Sequence, residues 1–114
     1  MSDRELLEMA AKAARHEFRW NGLYRHGEGR SEILVLPDKG VWFGWDPLND
    51  DGDAMRLVAD LRLNVLPGKH KGDGCTVETQ RAGITGVTTF RDDKREQMRR
   101  AIVMAAAAIG AGMP

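Results

Sequence analysis

Ile33-Leu34-Val35-Leu36-Pro37-Asp38-Lys39-Gly40-Val41-Trp42-Phe43-Gly44-Trp45 is the stretch whose reading sets the fold class. Two short apolar runs flank Pro-Asp-Lys-Gly, in which proline presets φ and the closing glycine suits a tight turn. The first run is continuous enough for a strand covered on both faces. The second, residues 41–45, returns beside it. A turn this short joins antiparallel neighbours, because a parallel pair needs a crossover of about a dozen residues or more. Upstream, His16, Phe18 and Trp20 alternate with Glu17 and Arg19, the period of a half-buried strand. Asn21-Gly22 follows, then Leu23-Tyr24, which predicts a second hairpin through a turn with positive φ at both centres. Residues 26–30 are glycine-rich and charged and read as loop.

Downstream, Asp46-Pro47-Leu48-Asn49 leads into a helix. Asp50, Asp51 and Asp53 stand where a helix start favours negative charge, and Ala54, Leu57, Val58 and Leu61 form its apolar stripe. It should end near Arg62, and Leu63 and Val65 then alternate as a strand that stops at Pro67-Gly68. Residues 67–74 read as a solvated hairpin tip. Cys75, Val77 and Thr79 alternate as the next strand, Ala82-Gly83 interrupts, and residues 87–90 make the last. Helices bracket these strands. Ser2-Asp3-Arg4-Glu5 is a capping box opening a helix over residues 3–15, with Leu6, Leu7, Ala10, Ala13 and Ala14 as its apolar face. Asp93-Lys94-Arg95-Glu96 opens a third, with a core stripe through Met98, Ala101, Ile102, Ala105, Ala108 and Ile109, and Gly110 as its stop. Strands in runs rather than alternating with helices predict an α+β fold: an antiparallel sheet of short hairpin strands covered by three amphipathic helices, in a single domain over residues 1–114.

Composition bounds the function. The chain has 114 residues, and 17 basic residues balance 17 acidic ones, which argues against a general basic surface for nucleic acid. A lone cysteine, Cys75, excludes an intrachain disulfide framework and a multi-cysteine metal site. No apolar run approaches the roughly 20 residues that cross a bilayer, and Met1-Ser2-Asp3-Arg4-Glu5 lacks a signal-peptide core. The expectation is a cytoplasmic protein without membrane contact.

Candidate sites each carry a plainer structural reading. Asp46, Asp50, Asp51, Asp53 and Asp60 outnumber Arg56 across one segment. Aligning Gly52 with the glycine of a calcium loop puts Pro47 first and Val58 last, so both ends of the coordination shell are missing. A magnesium site on Asp46, Asp50 and Asp51 is formally open, against the plainer reading that these carboxylates cap and charge-complement a helix start. Trp20, Trp42, Phe43 and Trp45 are expected in the core, with Trp45 half exposed at the strand exit. His16, His26 and His70 have no ligand spacing, and Cys75 reads as a small buried hydrophobe. Residues 68–72 hold glycines and bases but lack the Gly-Lys-Ser/Thr ending of a phosphate loop. Lys69, Arg95 and Arg99 are the candidate nucleic-acid contacts. Asp92, Asp93 and Glu96 lie among the helical pair, which favours a solvated face.

Trp45-Asp46-Pro47-Leu48-Asn49-Asp50-Asp51-Gly52-Asp53-Ala54-Met55-Arg56-Leu57 resembles the signature of the NinX-like family of bacteriophage proteins. That signature reads Trp, Asn or Asp, Pro-Leu, a variable residue, Asp-Asp-Gly-Asp-Ala, a variable residue, Arg-Leu, with asparagine commoner where Asp46 stands. The helix through Arg100-Ala101-Ile102-Val103 is also similar to the family's closing helix. The resemblance implies phage or prophage origin and expression in the bacterial host cytoplasm, and brings no established activity. The leading expectation is therefore a non-enzymatic accessory protein that binds a phage or host protein, without cofactor, through Trp45, Asp46, Asp50, Asp51 and Asp53. A nucleic-acid-associated protein and a small metal-dependent enzyme with an acidic site are the alternatives. A homodimer burying Val103 and Ala107 is also expected, since the third helix is apolar beyond one stripe.

Overall fold

A computed structural model describes residues 2–20, 33–36, 42–70, 73–79, 87–89 and 93–114. Helix α1, Asp3–Ala13, opens with the capping box: the Glu5 amide donates to Ser2 Oγ at 3.2 Å and the Ser2 amide to Glu5 Oε1 at 3.3 Å. It ends earlier than its periodicity predicts. Arg15 takes φ 60°, and the amides of Arg15 and His16 turn back to the carbonyls of Lys12 and Ala11, both at 3.0 Å. This is the Schellman arrangement, with arginine where glycine is usual. The reversal starts β1, Glu17–Trp20, on the next residue but one.

Strands β1, β2 (Ile33–Leu36) and β3 (Phe43–Gly44) form an antiparallel sheet in that order. Phe18 faces Val35, which faces Phe43, so the residues of this parity share one side of the sheet. That side carries Ile33, Val35 and Trp45, all buried, with Phe18 and Trp20 half-buried. The opposite side carries Arg19, whose guanidinium lies 4.5 Å from the centroid of the Trp42 ring. The antiparallel pairing of β2 with β3 is as the sequence predicts. The predicted Asn21-Gly22 hairpin and the turn residues 37–40 lie outside the described residues.

Helix α2, Asp51–Leu61, buries Ala54, Leu57 and Leu61 of its predicted stripe and leaves Val58 half-buried, and Arg62 closes it in the left-handed region at φ 54°. Strands β4 (Leu63–Leu66), β5 (Cys75–Thr79) and β6 (Val87–Thr89) make a second antiparallel sheet in chain order. The expected single sheet is thus two sheets of three strands each, because α2 separates the hairpin runs and each run pairs within itself.

Helix α3, Lys94–Ala111, packs on β5 and β6 and against α1 and α2. Its buried residues point in nearly every direction: Gln97, Ala101, Ile102, Val103, Ala105, Ala106, Ala107 and Ile109. A helix apolar all round is an interior helix. The homodimer face expected on it is therefore corrected: Val103 and Ala107 are already covered by the protein's own elements, whereas Ala108, placed in the core by periodicity, is exposed. Gly110 is also not a stop, since the helix continues to Ala111. It marks the crossing with α1, where a Cβ would stand 1.9 Å from the Met9 carbonyl oxygen. Among the described residues, no helix is long and apolar enough to cross a membrane.

Candidate functional site

The segment from Trp45 to Leu57 is built by its own aspartates. The Trp45 amide donates to the Ile33 carbonyl at 3.2 Å, extending the pairing of β3 with β2. The chain then turns: the Asp46 carbonyl accepts from the amides of Asn49 and Asp50 at 3.1 and 2.8 Å, and Asp46 Oδ2 accepts from Asn49 Nδ2 at 2.9 Å. Asp50 is the N-cap of α2 and accepts from the Asp53 amide at 2.7 Å. Asp53 works in two directions. Its Oδ2 accepts from the Asp46 amide at 3.0 Å, and its Oδ1 pairs with Arg56 at 2.8 Å. Asp51 reaches Arg99 at 2.6 Å, and the same guanidinium donates through Nε to the Leu48 carbonyl at 2.9 Å.

These contacts clamp the strand exit to the helix start. Burial holds the Asp46 carboxyl above its usual range, opposed by the hydrogen bonds from Asn49 and reinforced by the nearby charge of Asp53. Asp46, Asp50 and Asp51 thus face three different partners rather than one centre. Among the described residues no group of three or more His, Cys, Asp or Glu side chains is placed to hold a metal ion.

Beside this clamp lies a cleft of about 520 Å³. Its sheet side is formed by His16, Val35, Phe43, Gly44 and Trp45, and its helix side by Asp53, Arg56, Leu57 and Asp60. Trp45 is not half exposed as expected: it is 5% exposed, forms the cleft floor and meets the His16 ring edge-on at 6.0 Å. Phe43, expected in the core, is 53% exposed at the mouth. The size suits a bulky side chain or small ligand.

Of the expected binding residues, the structure brings Trp45 and Asp53 to this cleft and leaves Asp46, Asp50 and Asp51 outside its lining. The sequence reading missed the rest of the lining. One signal for it was present: Val35, Phe43 and Trp45 share parity across the hairpin, and Asp53, Arg56, Leu57 and Asp60 recur at helical spacing.

Three of the four basic residues of α3 are held by contacts within the protein. Arg99 is only 14% exposed at its side chain and is held by Asp51. Arg100 pairs with Asp3 at 2.9 Å, and Lys94 donates to the carbonyls of His70 and Asp73, both at 3.1 Å. That last contact ties the turn carrying exposed Lys69 to the start of α3, near exposed Arg95. Cys75 is buried in β5, and burial raises its thiol pKa despite the charge of Lys94. No family model, curated protein or solved structure matches this chain.

Proposed function

We propose that the chain is a non-catalytic binding module that captures a protein partner in the cleft between β3 and α2. The observation that carries this reading is the exposed Phe43 ring over an apolar floor of Val35, Trp45 and Leu57. Exposed aromatic surface beside a concave apolar pocket is the arrangement in which a few anchors supply most of a binding energy. The segment that resembles the NinX-like family supplies Trp45, Asp53, Arg56 and Leu57 to that cleft. This coincidence supports a phage or prophage accessory role in a bacterial cytoplasm. The nucleic-acid alternative loses Arg99 to its carboxylate partner. The acidic-enzyme alternative loses its three aspartates to separate structural contacts.

The test is quantitative capture from infected or lysogenic bacterial cells with wild-type protein and Phe43→Ser. Phe43 is exposed, so the variant should melt as wild type does, while a specific partner should be depleted by about tenfold, the loss of roughly 1.4 kcal/mol. A partner retained equally by both proteins would place the contact elsewhere.

A further inference from the structure

The cleft has a backbone side as well as an apolar floor. Trp45 donates to the Ile33 carbonyl, so the register across β2 and β3 makes Ile33–Trp45 and Val35–Phe43 the hydrogen-bonded pairs. Leu34–Gly44 is then the non-hydrogen-bonded pair, and the N–H and C=O of Gly44 point away from β2. β3 is the last strand of its sheet, so those groups lie on an edge that no described strand covers. The next outward amide on the same edge, that of Asp46, is already satisfied by Asp53. Gly44 is exposed, and a Cβ built on it would meet nothing within 4 Å.

The charges at the rim are unbalanced. Asp53 is neutralised by Arg56. Asp60, one turn beyond Leu57 on the same wall, is exposed and has no hydrogen-bond or ion-pair partner among the described residues. Among the described residues, the surplus charge at the rim is therefore negative. Leu57 and Asp60 are i,i+3 neighbours, about 5–6 Å apart at Cβ. Alternate side chains of an extended strand are about 7 Å apart on one face. Trp45, Leu57 and Asp60 line the same cleft, so a strand running along α2 with an apolar residue over Trp45 and Leu57 would carry its second neighbour toward Asp60.

We propose that the occupant is an extended segment of a partner protein that adds to the β3 edge through Gly44, seats a bulky apolar side chain in the cleft and pairs a Lys or Arg two residues away with Asp60. This rests on the protein-binding reading above and specifies its mode, strand addition with side-chain pockets for alternate residues. Main-chain hydrogen bonds to Gly44 supply affinity without regard to sequence. The Trp45–Leu57 floor and Asp60 supply the apolar-x-basic preference.

The experiment uses the full chain, isotopically labelled, and pools of capped heptapeptides of Thr, Val and Ser with Phe or Leu at the centre. One pool has Lys two places before or after the centre, and a second has Glu there. The Lys pool should shift the Gly44 amide resonance and bind about tenfold more tightly than the Glu pool. Asp60→Lys, an exposed change that leaves the fold intact, should reverse that preference. Gly44→Pro removes the outward N–H without touching the pairing with β2 and should weaken both pools. Binding of neither pool below about 1 mM, or binding that leaves Gly44 and the Asp60 preference unmoved, overturns the proposal. If the pools fail while Phe43→Ser still loses a cellular partner, strand addition is wrong and the protein-binding reading stands. If Phe43→Ser loses nothing either, both fall. Concentration-dependent dimerisation through the same edge, abolished by Gly44→Pro, would show a second copy as the occupant and overturn the partner assignment.

Discussion

At the residue scale, Asp53 carries more of the local structure than its neighbours. It accepts from the half-buried Asp46 amide and also holds Arg56. Asp53→Ala leaves that amide without its acceptor, which costs about 1–3 kcal/mol, and urea denaturation should show the loss as a lower midpoint. Asp50→Ala removes the N-cap and should cost about 1 kcal/mol, measurable in the same way. Asp46 should behave in the opposite sense. Its carboxyl is raised from 3.8 by burial, so the folded state holds the proton more tightly than the unfolded state does. Ionised Asp46 therefore opposes folding above its raised pKa, and this penalty fades as pH falls through that value toward 3.8. Asp46→Asn should be more stable than wild type at neutral pH, with the gap closing in acid. A constant gap across thermal melts from pH 7 to pH 4, roughly the ordinary carboxyl range and above, would rule out ionisation as the cause. Glu5 and Asp93 work the other way. Hydrogen bonds from Ser2 and from the Glu96 and Arg95 amides lower them, so their stabilisation is lost as pH falls through their depressed values.

At the element scale, the helix ends and the helix crossing are the sensitive places. Arg15 and Arg62 both occupy the left-handed region. A side chain there costs about 1 kcal/mol against glycine, partly offset by the unfolded-state entropy of glycine. Arg15→Gly should therefore raise the thermal midpoint, by about 0.5 kcal/mol of stability. Gly110→Ala should do the reverse. The clash is with backbone, the Met9 carbonyl, so no side chain can swing aside. The two helices must separate, and the cost should reach about 3 kcal/mol, the upper part of the overpacking range. Chemical denaturation of the variant, with α-helical circular dichroism retained at low denaturant, checks this. The amphipathic patterns of α1 and α2 were legible in advance because each meets the rest of the protein on one side. α3 was misread because its alanines serve several neighbours at once, and an apolar position on such a helix looks the same whether its own chain or another covers it.

At the scale of the whole molecule, α3 sits among α1, α2 and the second sheet, and the core it joins runs through both sheets as one cluster. Val103→Glu places a carboxylate at a position 0% exposed. Burying an unpaired charge is strongly unfavourable, so this variant should lose its cooperative melting transition rather than convert a dimer into a folded monomer. A well-folded Val103→Glu protein in near-ultraviolet circular dichroism would count against the interior placement of α3.

Local sequence determined much of this protein by itself. The capping box at Ser2 and Glu5, the N-caps Asp50 and Asp93, the α2 stripe and the β2–β3 hairpin follow from hydrogen-bonding groups and periodicities within a dozen residues of one another. Tertiary structure decided the rest. Each sheet pairs strands that are consecutive in the chain, and that the two runs stay apart, with α2 between them, is a matter of packing. The edge-on contact of Trp45 with His16, the capture of Arg99 by Asp51, and the close approach of Gly110 to Met9 join residues far apart in the chain. The cleft itself belongs to this second class. Its walls come from β2, β3, α2 and the chain just after α1, and residues so separated meet only when the sheet register and the helix packing have both been set.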